Sequence, residues 1–164
     1  MEIILPQESE EKSNALKAIL FGGLLAGVLD LTAARVNSGL SGVSPVRVFQ
    51  AIASGLLGAE SYKGGAATAV LGIFLHFVIA FGATIVYYVA SRKIKILINR
   101  AVVSGVIYGI AVFWFMQLVV LPLSAFPGKN RFELKPTIIG LIVHMLFVGL
   151  PIALVIRRYS KSEK

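Results

Sequence analysis

From Ala66 to Ala90 the chain contains no Asp, Glu, Lys or Arg. A helix needs about 20 apolar residues to cross the hydrocarbon core of a bilayer, so this run is long enough to do so. Lipid offers the backbone no hydrogen-bond partners, and a span of this length can satisfy its own N–H and C=O groups only as a helix. Three other stretches read the same way: Lys17 to Arg35, Arg100 to Pro122, and Pro136 to Arg157. The first is short, and the turn from Ala15 extends it. The expected spans are 15–35, 66–90, 101–122 and 137–156.

Composition points to the same class. The chain has 164 residues, 57% hydrophobic and 15% charged, with a mean hydropathy of +0.83, well outside the range of a water-soluble domain. Four crossings with short loops use nearly all of it as one domain, 1–164. The absence of cysteine removes disulfides, thiolate nucleophiles and thiolate metal ligands. A net charge of +8 does not imply nucleic acid, because the basic residues sit at segment ends, where they set topology and meet lipid headgroups.

The opening tract, MEIILPQESEEKSN, is acidic and lacks a small-residue cleavage site before the first apolar run. No cleaved signal is expected, and residues 1–13 read as a mobile polar tail. Between the first two spans, Ser44 and Pro45 signal a helix start and Gly58 a stop. This helix, 45–58, is too short to cross. Its stripe of Val46, Phe49, Ile52, Ala53, Leu56 and Leu57 suits an interfacial or re-entrant position. The expected fold is therefore all-α: an antiparallel four-transmembrane-helix bundle with a short interfacial or re-entrant helix between the first and second spans.

Orientation follows from the Lys and Arg residues. With the N-terminus inside, Lys12, Lys17, Arg92, Lys93, Lys95, Arg100, Arg157, Arg158, Lys161 and Lys164 are cytoplasmic, while Arg35, Arg47, Lys63, Lys129, Arg131 and Lys135 are external. Ten against six favours both termini in the cytoplasm.

Each span carries one strongly polar side chain: Asp30, His76, Gln117 and His144. On insertion scales a charge near mid-span costs roughly 2.5 to 3.5 kcal/mol, so such residues need a reason. At 1.5 Å per residue the four lie roughly 8 to 14 Å below the external boundary, within one layer. Small residues at helical spacing share their faces: Gly23, Gly27 and Ala34 with Asp30, Gly72 and Ala80 with His76, Gly105 and Gly109 with Gln117, and Gly140 with His144. Each polar group therefore belongs on an interhelical face.

Three readings of this layer stay open. The four side chains could hydrogen-bond to one another and hold the helices in register. They could form a polar chamber for a solute or proton, with Asp30 stabilising a protonated imidazole. Asp30, His76 and His144 also make a zinc- or iron-type ligand set, but one without HxxxH or HExxH spacing. Arg47 and Glu60, flanking the short helix, could pair or touch headgroups. Trp114, Tyr87 and Tyr88 read as belt or packing aromatics. Pro122 is expected to end the third span and Pro151 to kink the fourth. Nucleotide loops, acyl-transfer elbows and cofactor signatures are absent, so no catalytic residue and no cofactor is assigned.

The runs GGLLAGVLDLTAA, SPVRVFQAIASGLLG, GIFLHFVIAFGA, VVLPLS and HMLFVGLPIAL, between Gly22 and Arg158, resemble a widespread group of small bacterial inner-membrane proteins. That group carries no assigned biochemical activity. The resemblance implies a bacterial inner membrane and four spans, and supplies no site residues. The functional expectation is a structural or accessory protein that binds lipid, other membrane proteins or a second copy of itself. Its alternatives are a small-solute or proton-coupled transporter, and a metal-binding protein or enzyme acting on lipid.

Overall fold

The first apolar segment forms the centre of a longer helix, α1, Leu5–Leu40. The computed structural model describes residues 5–128 and 133–161. Residues 5–13, expected as a tail, are instead the opening turns of α1. Gln, Glu and Lys are strong helix formers, acidic residues complement the positive end of the helix dipole, and Pro6 sits in the first turn, where proline is tolerated. Residues 1–4 of that tract lie outside the described residues, as do Lys129, Arg131 and Lys164 of the basic set.

Helix α2, Pro45–Leu57, starts where Ser44 accepts a hydrogen bond from the Arg47 N–H at 3.4 Å. It stops at Gly58, whose φ of +61° suits glycine alone. A 3-10 turn, Gly58–Lys63, leads into α3, Gly65–Lys93. A single short turn, α4, Ile96–Asn99, connects to α5, Ala101–Phe115. The third long helix then passes through a π turn, Met116–Val120, into α6, Leu121–Leu123. The fourth comprises α7, Leu134–Val143, a π turn, His144–Gly149, and α8, Leu150–Lys161. Among the described residues, four helices are thus long and apolar enough to cross a membrane: Lys12–Leu40, Gly65–Lys93, Ala101–Leu123 and Leu134–Ser160.

Each π turn is followed by a Leu-Pro pair, Leu121-Pro122 and Leu150-Pro151. The Leu121 N–H reaches back five residues to the Met116 carbonyl, ahead of Pro122. The Leu150 N–H does the same to Met145, ahead of Pro151. A proline ring crowds the carbonyl four residues earlier and offers it no N–H, and widening the turn by one residue relieves that conflict.

Glycines set the helix contacts. A Cβ on Gly22 would lie 2.9 Å from Thr84, and one on Gly27 2.6 Å from Phe77, while Gly23 faces Phe81, so α1 and α3 nearly touch along this edge. Gly105 lies against Gly149 and Leu150, Gly109 against His144 and Met145, and Gly140 against Phe113, so α5 is seated on the fourth helix backbone to backbone. Tyr87, Ile152 and Ile156 form the bulk of the core, with Ala18, Ala26, Ala101 and Ala153 between them. Large apolar side chains such as Phe74 and Leu118 point outward, 62% and 58% exposed. A surface this apolar suits lipid and not water.

Helix α2 is fastened at two places. Gly72 of α3 faces the Phe49 carbonyl so closely that no side chain fits between them. Gln50 donates from Nε2 to the Gly65 carbonyl at 3.0 Å and to Thr68 Oγ1 at 3.3 Å. At the far end, the Ala125 N–H donates to the Gly55 carbonyl at 2.8 Å, tying α2 to the segment after the third long helix. The face against α3 carries Gln50, Ala53 and Ser54, and the apolar Val46, Leu56 and Leu57 are exposed. Gln50→Ala is expected to loosen α2 by about 1 to 2 kcal/mol, the worth of a buried hydrogen bond left unmade. Amide exchange should accelerate across 45–57 and remain unchanged in the core of α3.

Candidate functional site: a polar cavity between the four long helices

All four polar residues of the long helices line a single cavity of about 270 Å³, together with Ile52 of α2. The wall is otherwise apolar, formed by such residues as Ala26, Ala80, Phe113 and Val148. Asp30, His76, Gln117 and His144 are each half-buried and not buried, because they face this space.

His76 reaches α1 because Gly27 has no side chain. With Phe77 and Ala80 lying over that glycine, the two helices come close enough for His76 Nε2 to bond the Gly27 carbonyl at 2.9 Å. His144 Nδ1 bonds the Gly140 carbonyl, one turn back on its own helix, also at 2.9 Å. A carbonyl can only accept, so both of these ring nitrogens carry the proton. When the ring is neutral, its other nitrogen, Nδ1 of His76 or Nε2 of His144, is a lone-pair acceptor. Edge-on aromatic contacts hold the rings in place: Phe77 at 5.6 Å from His76, and Phe113 at 5.4 Å from His144.

Asp30 sits one turn beyond Gly27 on the same face of α1 and makes no ion pair or hydrogen bond with any described residue. Gln117 lies in the π turn Met116–Val120, and His144 opens the other one. Turns of this kind recur at functional sites because they turn side chains out of the helical phase.

Several expectations change here. The two imidazoles bond to backbone carbonyls and not to Asp30 or to each other, because glycine leaves those carbonyls within reach. The metal reading of Asp30, His76 and His144 is not supported: among the described residues no three His, Cys, Asp or Glu side chains are grouped to hold an ion. Arg47 and Glu60 do not pair with each other. Arg47 lies over the Tyr62 ring at 4.2 Å, and Glu60 bonds Lys63 at 2.7 Å in an exposed pair. Of the aromatics read as belt or packing groups, Tyr87 is a packing one: it is 1% exposed, donating to the Leu97 carbonyl at 2.9 Å and so fixing the turn between α3 and α5.

No family model, curated protein or solved structure matches this chain. The cavity is therefore the guide to its function.

Sequence reasoning did not assign Ile52 or Met116 to the polar site, yet both are on the cavity wall. Ile52 belongs to the apolar stripe of α2, and nothing in its spacing says that α2 reaches the polar layer. Met116 reads as an ordinary span residue, since its position depends on a π turn that hydropathy does not encode.

Proposed function

We propose that this chain is a four-span membrane protein whose cavity binds a small cationic or hydrogen-bond-donating solute, as a solute- or proton-handling protein would. The observation that carries the reading is the Asp30 carboxylate, which lines the cavity and has no protein partner among the described residues. In their neutral form the two imidazoles add acceptor nitrogens at His76 Nδ1 and His144 Nε2. Acceptors set into an otherwise apolar wall favour donors, such as an ammonium group or a proton-carrying water chain.

The spans are read as an antiparallel bundle. In support, Gly22, Gly23 and Gly27 meet Thr84, Phe81 and Phe77, while Gly105, Gly109 and Phe113 meet Gly149, His144 and Gly140, each pair running in opposite order. Helix α2 lies at the membrane interface with Val46, Leu56 and Leu57 toward lipid, and both termini are cytoplasmic in a bacterial inner membrane. The distribution of Lys and Arg and the resemblance to small inner-membrane proteins support this placement.

Binding of methylammonium to the protein in nanodiscs, followed by calorimetry, tests the reading. The wild type should bind saturably and Asp30→Asn should not, with the unfolding midpoint retained. Absence of saturable binding by the wild type would overturn it. A second reading, a structural or accessory protein in contact with lipid or membrane partners, is favoured by the His76 to Gly27 bond, which links α1 to α3. Under that reading His76→Leu destabilises the fold and Asp30→Asn has no binding phenotype.

A further inference from the structure

Helices α3 and α5 are pinned together near their connection and part beyond it. Tyr108 Oη donates to the Ala83 carbonyl at 2.7 Å, and its ring meets Tyr87 edge-on at 4.9 Å. Past this point the two helices scarcely touch. Between them lies a groove of about 590 Å³, lined by Ile79, Gly82 and Val86 on one side and Ala111, Phe115 and Val120 on the other. Among the described residues, none that lines it is charged. Ile79, Ala83, Val112 and Met116 line both this groove and the polar cavity, so a single layer of side chains separates them. Met116, unbranched and adaptable, is the most easily displaced of these.

Gly82 marks the groove as more than a packing fault. The other mid-span glycines, from Gly22 to Gly149, would each bring a Cβ within 3.0 Å of a neighbour, and close helix packing explains them. A Cβ on Gly82 would meet no atom of the described residues within 4 Å. Glycine inside a helix costs about 1 kcal/mol relative to alanine. At Gly82 no packing contact accounts for that cost, and what the missing side chain leaves is width.

We infer that groove and cavity together bind a membrane amphiphile, an alkyl chain carrying a primary ammonium head, with the chain in the groove and the head at Asp30. This rests on the cavity being a cation site, as proposed above. The occupant follows from charge and size. A carboxylate or phosphate head would be repelled by Asp30, and a bulky head would exceed the cavity of about 270 Å³. The groove offers the chain only apolar walls, and its side opening lets the ligand enter from the bilayer without crossing water.

The test compares methylammonium with octylammonium in phosphatidylcholine nanodiscs, for the wild type and for Gly82→Leu. Octylammonium should bind the wild type at least tenfold more tightly than methylammonium. Gly82→Leu should abolish that advantage while methylammonium binding stays unchanged. Ala111→Leu, on the facing wall, provides a second variant if the first fails to fold. Equal affinities for the two amines, or a chain-length advantage that survives both variants, would overturn the groove and leave the cavity reading standing. Failure of the wild type to bind methylammonium would remove the cavity reading itself. Should Gly82→Leu instead convert a cross-linkable dimer to a monomer with amine binding unaltered, the groove houses a second copy and the amphiphile proposal falls.

Discussion

Gly109→Leu is expected to abolish the native contact between the third and fourth helices. A side chain there would run into the His144 carbonyl and the Met145 Cα, the latter 2.6 Å from the Cβ position. Both are backbone atoms of a helical turn, so no rotamer change relieves the clash and the helices must move apart. Overpacking of an ordinary core costs about 1 to 3 kcal/mol. With backbone on both sides, and Gly105 to Gly149 forced open as well, the loss should reach about 3 kcal/mol or more, a large share of the 5 to 15 kcal/mol typical of a folded domain. SDS-induced unfolding in mixed micelles would show the midpoint collapse, with Gly82→Leu as the tolerated control. An unchanged midpoint for Gly109→Leu would mean that α5 does not rest on the fourth helix through these glycines.

Asp30→Asn should have the opposite profile. It exchanges an ionisable group that has no partner among the described residues for a neutral one of the same shape. A charge inside a span costs roughly 2.5 to 3.5 kcal/mol on insertion scales, and the variant no longer bears that cost. Its unfolding midpoint should therefore equal or exceed that of the wild type. Binding of methylammonium should fall at least tenfold, which corresponds to about 1.4 kcal/mol, a modest value for losing a charge-assisted contact. Stability gained where binding is lost is the mark of a residue kept for function. A fall in stability without a change in binding would instead make Asp30 a register element.

The four long helices were readable because span length is a blunt requirement: the uncharged run from Ala66 to Ala90 allows little else. The face each polar side chain takes could be argued from the same helical count, following Gly27 to Asp30 or Gly72 to His76, and the four side chains line one cavity. The bonding partners of those side chains were not readable. Pairing Asp30 with an imidazole is the natural guess from side-chain chemistry, yet glycine leaves the carbonyls of Gly27 and Gly140 nearer, and the histidines take those. Helical propensity in the acidic N-terminal tract outweighs its polarity, which is why α1 begins at Leu5 and not near Ala15. The groove was invisible for a different reason: it depends on where α3 and α5 fail to meet, and an unmade contact leaves no periodic trace in the residues.

The two π turns divide their helices into halves that need not share a phase. One inserted residue rotates the downstream half of a helix by about 100°, so the lower half of the fourth helix can keep Ile152 and Ile156 in the core while His144 above looks into the cavity. Removing one residue between Met145 and Gly149 would restore a regular helix and swing the imidazole away with the core intact. In this architecture the chemistry is dialled by residue count, and a change in chain length of one can retune the centre of the molecule without rebuilding its walls.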